Sequence, residues 1–159
     1  MKRIINNRGF TIVELIVVMG VIAVMIGISI PSFFTTTSKT ALKRSTRDVT
    51  VELKAVRQLA ISRNMQFRLV FTLGTEDVIA RQFRVNTSSA WQDDITRADT
   101  VIDERVNISS PGASFNVTFN PNGSATANTI CLQNNSDSTS RMKVNIYSTT
   151  GRVEASSGC

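Results

Sequence analysis

The most unusual residue of this chain that could perform chemistry is Glu14. It is the one charge in an apolar run of 21 residues, Phe10 to Ile30. A helix of that length spans about 32 Å, which is enough to cross the hydrocarbon core of a bilayer. A carboxylate inside such a run is costly unless it is paired, so we predict that Glu14 has a functional role.

The residues around the apolar run allow two simple interpretations. A short basic leader precedes it and ends in Gly9. The first interpretation is a secretory signal peptide with a weak small-x-small cleavage site at Gly27-Ile28-Ser29, although the run is longer than a usual signal core. The second is a plain single-span anchor, which periodicity does not exclude because any anchor is apolar on all sides.

The motif Gly9-Phe10-Thr11-x-x-Glu14 ahead of a spanning helix resembles the class III signal of type IV pilins and type II secretion pseudopilins. This resemblance implies that a prepilin peptidase cleaves the Gly9–Phe10 bond, leaving residues 1–9 as a leader peptide. It also implies that Phe10 is N-methylated and that Glu14 acts in assembly. Residues 10–30 are then a transmembrane helix segment in the inner membrane of a bacterium.

Two cysteines suggest on which side of the membrane the rest of the chain lies. Basic residues flank both ends of the apolar run, so the positive-inside rule gives no clear orientation. Cys131 and Cys159 are the only two cysteines, and an even pair beyond a membrane segment predicts a disulfide in an oxidising compartment. The carboxy-terminal domain is therefore predicted to be periplasmic, with an intermolecular bridge or two free thiols as alternatives.

The composition argues against an enzyme. The chain has no histidine, which excludes histidine-based catalytic triads and histidine-rich metal sites. Its neighbouring carboxylates occur as adjacent pairs, which on a strand point to opposite faces and fit solvated turns better than acid–base catalysis. No glycine-rich phosphate loop is present, so we predict no enzyme activity, no cofactor and no metal. The three carboxylate pairs are Glu76-Asp77, Asp93-Asp94 and Asp103-Glu104.

The elements that carry these residues follow from the periodicity. Pro31 is predicted to kink or loosen the helix as it leaves the membrane. Residues 31–64 then read as an amphipathic periplasmic helix with one apolar face and a separate basic stripe, which we interpret as a solvated face. The predicted apolar face consists of Leu42, Val49, Leu53, Val56 and Ala60.

Beyond Asn64 the apolar period changes from helical to alternating, which predicts strands. Residues 65–159 therefore form an antiparallel β domain, and the fold class is α+β, with a long amino-terminal helix packed on antiparallel sheet. Residues 86–100 are predicted to be a loop. The predicted strands are 67–73 and 79–85, joined as a hairpin, then 101–108, 115–119, 129–132 and 142–146.

Three segments beyond the amino-terminal motif resemble one particular family of pilin-like proteins. Lys54 to Leu69 resembles the helix-to-strand junction of the pseudopilin H and minor pilin T/U family, and Phe119-Asn120-Pro121-Asn122-Gly123 resembles its later strand-and-turn segment. Gly151-Arg152-Val153 resembles its carboxy-terminal motif, and a disulfide near the carboxy terminus is typical of the U-type minor pilins. The resemblance implies a type IV pilin-like fold and a structural subunit of a pilus filament or its tip complex. Other pilins are then its partners, and a type II secretion pseudopilus is the alternative assembly.

A DNA-binding role, as in T-type minor pilins during natural transformation, is a second function class. In those relatives a second arginine completes a Gly-Arg-x-Arg motif, but Glu154 occupies that position here. Arg152, Arg141 and Lys143 remain as the candidate residues for a weak contact with DNA. The net charge of +6 falls to +3 when the leader is removed, because the leader carries three basic residues and no acidic one. We therefore predict no strong DNA binding.

Overall fold

The computed structural model describes residues 10–159, apart from the side chains of residues 28–36. The chain divides into two units, the first ending at Thr37 and the second covering Ser38–Cys159. One helix, α1 (Ile12–Arg63), contributes residues to both units.

Several predictions concern the amino-terminal segment. Gly9 lies outside the described residues, and the side chain of Pro31 lies outside the described side chains. No helix within the described part of the chain has both the length and the apolarity of a membrane-crossing segment. The predicted span over residues 10–30 and the predicted kink at Pro31 stay predictions.

The carboxy-terminal end of α1 is fixed by a local hydrogen-bonding motif. Asn64 adopts a left-handed conformation with φ of 52°. Its N–H donates to the carbonyl of Ile61 at 3.4 Å, and the N–H of Met65 donates to the carbonyl of Ala60 at 3.3 Å. This is a Schellman motif, in which the orphan carbonyls of the last turn receive donors from beyond the helix. The helix therefore stops at Arg63, where the sequence predicts its end.

The half of α1 in the second unit buries one face. All five side chains of the predicted apolar face are buried, and the hydroxyl of Thr46, on the same face, donates to the carbonyl of Leu42 at 2.8 Å. Steps of three and four residues along a helix return to the same side, which is why this set of residues shares the core.

Nine strands follow α1 among the described residues. Their bounds are β1 (Gln66–Thr72), β2 (Val78–Arg84), β3 (Gln92–Asp93), β4 (Thr100–Val101), β5 (Val106–Ser110), β6 (Phe115–Phe119), β7 (Asn128–Asn134), β8 (Arg141–Ile146) and β9 (Val153–Ser157).

The strands form two antiparallel sheets that share one core with α1. The first sheet has the order β3-β2-β1-β6, with β4 also pairing to β2, and the second has the order β5-β7-β8-β9. Alternate residues of β1 point inward, so Phe67, Leu69 and Phe71 are fully buried. The second sheet contributes Ile130, Leu132 and other apolar side chains to the same core.

The predicted strand over residues 101–108 is wrong, because the structure divides it between the two sheets. Val101 pairs with β2, whereas Val106 begins β5 in the second sheet. A turn at Asp103 separates them, since its carbonyl accepts the N–H of Val106 at 2.8 Å. The buried Asp77 connects the two halves, accepting the N–H of Ile102 on its carbonyl and that of Ile108 on its carboxylate, at 2.9 and 2.8 Å.

Candidate assembly and interaction sites

The amino-terminal end of α1 has the spacing of a capping box. The helix begins at Ile12, so Thr11 is its N-cap residue and Glu14 is the third helical residue. The hydroxyl oxygen of Thr11 accepts the backbone N–H of Glu14 at 3.2 Å. A carboxylate in the first turn also interacts favourably with the helix dipole. Glu14 is exposed and has no ion pair within the described residues.

The large apolar side chains between Phe10 and Ile26 are open to solvent in the isolated chain. From Phe10 to Ile26 every large apolar side chain is about half exposed or more, and Phe10 is 81% exposed. Soluble monomers rarely expose a contiguous apolar surface of this extent, which marks contact with a membrane or with other proteins.

The two cysteines form a disulfide in the structure, with their Cα atoms 6.1 Å apart. Cys131 lies in β7 and is buried, and Cys159 follows β9. Because β8 lies between β7 and β9, the disulfide ties the carboxy terminus to β7, the strand beyond the immediate neighbour of β9.

The three basic residues singled out for DNA contact do not form one cluster. Arg141 and Lys143 lie in β8, where the Nε of Arg141 donates to the carbonyl of Ser138 at 2.8 Å. Arg152 is at the other end of the β8–β9 hairpin, beside Tyr147. Six residues of strand separate Arg141 from Tyr147, or about 20 Å.

Arg152 is also neutralised locally. Its guanidinium forms an ion pair with Glu154, which accepts a second hydrogen bond from the hydroxyl of Tyr147 at 3.1 Å. The hydrogen bond between Arg152 and Glu154 raises the pKa of the arginine and lowers the pKa of the carboxyl. The charge that Arg152 offers to a phosphate is therefore offset.

A buried ionic cluster connects helix, sheet and loop. Arg81 points inward from β2, directly opposite Leu69 on β1, and its side chain is only 10% exposed. It donates to Glu52 on α1 at 3.0 Å and to Asp94 in the loop after β3 at 3.5 Å. Arg97 forms a further ion pair with Glu52.

The loop side of this cluster is held by short-range hydrogen bonds. Burial raises the pKa of Asp94, but two hydrogen bonds from Thr96 and the charge of Arg81 outweigh it, so the pKa of Asp94 is lowered overall.

The sequence patterns did not predict this ionic cluster. The one available signal was Arg81, which interrupts the apolar alternation from Ile79 to Phe83.

A second basic cluster lies on the outer face of the first sheet. The guanidinium carbons of Arg68 and Arg84 lie 4.3 and 4.5 Å from the centre of the Trp91 ring. Burial, and next the charge of Arg84, lowers the pKa of Arg68. The amide oxygens of Gln82 and Gln66 accept from the two arginines at 2.7 and 2.6 Å. The cluster thus fixes Trp91 within the loop.

Arg57 of α1 contacts two turns, one at Gly123 and one at Thr150-Gly151, which belong to the segments that resemble the pseudopilin H family. The Nε of Arg57 donates to the carbonyl of Thr150 at 3.0 Å and to that of Gly123 at 3.4 Å. Gly151 has φ of 59°, and a Cβ there would overlap the carbonyl oxygen of Gly123. Only glycine fits this approach, so the turns at Gly123 and Gly151 are locked together on the helix.

A groove of about 1130 Å³ lies beside this junction, between α1 and β9. Lys54 and Arg57 line the helix side, and Arg152 and Glu154 line the strand side, together with smaller polar residues. No group of three or more His, Cys, Asp or Glu within the described residues is arranged to hold a metal ion. The residues that line the groove offer hydrogen bonding and positive charge.

Comparisons with known proteins agree with this architecture. The minor pseudopilin EpsH from the type 2 secretion system of Vibrio cholerae is 15% identical, with a TM-score of 0.59 over 76% of this chain and 97% of that one. The type IV minor pilin FimU of Pseudomonas aeruginosa is 16% identical, with a TM-score of 0.55 over 72% of this chain and 92% of that one. At these identities the likeness concerns the fold, and the predicted α+β pilin-like fold is confirmed.

The comparison with curated protein sequences gives no match. Two family models do match. The prokaryotic N-terminal methylation motif matches residues 5–30, and the type II transport protein GspH model matches residues 45–150. The second covers well over half of the chain, and it includes the helix-to-strand junction and the turn at Gly123, ending one residue before Gly151. The chain therefore belongs to the type II transport protein GspH family.

Proposed function

We propose that this protein is a structural subunit of a type IV pilus or of the related type II secretion pseudopilus, and that it enters the filament through its amino-terminal helix. A prepilin peptidase first cleaves the Gly9–Phe10 bond, and Phe10 is then N-methylated. The observation that carries the proposal is the methylation motif over residues 5–30, directly ahead of a GspH domain over residues 45–150.

The exposed apolar side chains from Phe10 to Ile26 support this role. Before assembly, residues 10–30 anchor the protein in the inner membrane, and in a filament the same side chains pack against the helices of neighbouring subunits. The domain Ser38–Cys159 lies in the periplasm, an oxidising compartment in which the Cys131–Cys159 disulfide persists. The protein has no catalytic task in this account, and its partners are the peptidase and other pilins or pseudopilins.

Glu14 provides the register of assembly. Cleavage leaves a cationic amine on Phe10, four residues before Glu14, so the carboxylate pairs with its own or a neighbour's amine. An unpaired carboxylate in the apolar filament interior is costly, so pairing favours the correct axial position of the subunit.

The test is incorporation into filaments by full-length variants. We expect Glu14→Ala to leave the second unit folded, as judged by its thermal unfolding, but to reduce the amount of protein in sheared filaments. Glu76→Ala removes an exposed carboxylate from the β1–β2 turn and serves as the matched control. Equal incorporation of the two variants would contradict the role of Glu14.

A further inference from the structure

The strand β9 has a free edge. Among the described residues it is the last strand of the second sheet and pairs with β8 alone. The N–H of Tyr147 donates to the carbonyl of Arg152 at 3.0 Å, and the N–H of Gly158 donates to that of Arg141 at 2.9 Å. Along an antiparallel pair, every second residue directs its backbone N–H and carbonyl toward the partner strand. The backbone groups of residues 154 and 156 therefore also face β8. The backbone groups of 153, 155 and 157 point away from β8.

These outward backbone groups lack partners. Among the described residues, no hydrogen bond outside the β8–β9 ladder engages the N–H or carbonyl of Val153, Ala155 or Ser157. Proteins usually blunt such edges with a bulge, a proline or a lysine. The opposite edge of this sheet does so, because β5 has a register shift between Ile108 and Ser110 and Pro111 follows it. The edge of β9 has none of these devices.

On the side of the groove opposite β9, α1 contributes two basic side chains, Lys54 and Arg57. Lys54 has no carboxylate within 4.0 Å among the described residues, and Arg57 uses its Nε on backbone carbonyls. The one carboxylate of the lining, Glu154, is already paired with Arg152. Neighbouring strands lie about 4.8 Å apart, so a groove of about 1130 Å³ has room for an added strand.

We propose that the groove between α1 and β9 is a docking site for an extended acidic segment of a partner protein, which adds to β9 as a further strand. Backbone hydrogen bonds to Val153, Ala155 and Ser157 hold the segment, and its carboxylates pair with Lys54 and Arg57. This is strand addition, in which main-chain bonds provide affinity and side-chain contacts provide selectivity. A second copy of β9 complements the groove poorly, because its one carboxylate is already paired.

The test is binding of a labelled nine-residue peptide of alternating glutamate and valine to the full chain in detergent micelles, measured by fluorescence anisotropy. We expect saturable binding that weakens with salt, and no binding of a peptide with lysine in place of glutamate. Lys54→Glu should weaken binding about tenfold or more, while Lys43→Glu, the same charge change elsewhere on α1, should have little effect. Equal effects of the two variants would overturn the proposal.

A second variant tests the backbone contacts. In Ala155→Pro the lost N–H is one that points into the groove, so the β8–β9 ladder is kept and binding should fall about tenfold. Hydrogen exchange by NMR provides a readout without mutation, since peptide should protect the amides of Val153, Ala155 and Ser157. Absent protection, tighter binding of duplex DNA that displaces the peptide, or self-association blocked by Ala155→Pro would each overturn the proposal.

Discussion

Removal of Glu52 tests whether the buried ionic cluster holds the loop and the first sheet to α1. The Glu52 side chain is 5% exposed and accepts from both Arg81 and Arg97. In Glu52→Ala, Arg97 is half exposed and turns to solvent, but Arg81 is nine-tenths buried and keeps only Asp94, at 3.5 Å. The Nε of Arg81 already has no hydrogen-bond partner among the described residues.

The size of the loss follows from this geometry. Breaking a buried ion pair by removing one partner costs about 3–5 kcal/mol, and the remaining contact to Asp94 places this variant near the lower end, at about 3 kcal/mol. That is a large part of the stability of a typical domain, which is about 5–15 kcal/mol. With a urea m-value of about 2 kcal/mol/M, the midpoint of unfolding should fall by about 1.5 M.

The assay is urea unfolding of the fragment Ser38–Cys159 with its disulfide intact. Glu76→Ala, an exposed carboxylate, should stay within about 0.5 kcal/mol of the unchanged fragment. The triple variant Glu52→Leu/Arg81→Met/Asp94→Asn should recover most of the loss, because it removes Arg81 together with both of its buried carboxylate partners, and the amide oxygen of Asn still accepts from Thr96. A Glu52→Ala fragment as stable as the control, or a triple variant less stable than the single one, would refute the role of the cluster.

Three further predictions concern the second unit. Cys159→Ser should lower the free energy of unfolding by about 3.5 kcal/mol, because the bond closes a ring with Cys131 across a separation of 28 residues; denaturation without reductant measures this. The hydrogen bond from Arg105 lowers the pKa of Asp103 from 3.8 to about 2, so its contribution to stability is complete above about pH 4 and lost as the pH falls to about 2. Asp103→Asn should flatten the pH dependence of unfolding in that window. Glu154→Arg should strengthen an otherwise weak binding of duplex DNA, with a steeper salt dependence in fluorescence anisotropy, and an unchanged affinity would contradict this.

The parts of the fold that depend on local sequence were predictable. The apolar face of α1 and the β1–β2 hairpin follow from periods of 3.6 and 2, and the turn at Gly74 to Asp77 lies between the paired strands. The end of α1 depends on Asn64, one of the few residue types that readily adopts positive φ.

The remaining features depend on contacts between residues distant in sequence. The β6 strand pairs with β1 across more than 40 residues, and no local pattern specifies that choice. Residues 101–108 read as one strand, but Asp77 accepts from Ile102, directly after β4 of the first sheet, and from Ile108 in β5 of the second. The clusters at Arg81 and Trp91 likewise consist of residues from segments that are distant in sequence and meet only in the folded chain. No local sequence pattern could therefore predict these clusters.

The roles of the amino-terminal residues concern cleavage, N-methylation and the pairing of Glu14 in a filament. The sequence motif indicates these events, and experiments on assembled filaments must test them. The Gly9-Phe10 site and Glu14 stand as proposals, supported by the methylation motif and by the exposed apolar side chains that follow. The turns at Gly123 and Gly151, by contrast, have a structural explanation in their shared contact with Arg57.

The most direct test of the central claim is the intact mass of the protein recovered from sheared filaments of cells that express the full chain with a prepilin peptidase. We expect the protein to be present in the filaments, with a mass that corresponds to a chain beginning at a methylated Phe10. A protein absent from the filaments, or one that retains Met1 or begins beyond Ile30, would contradict it.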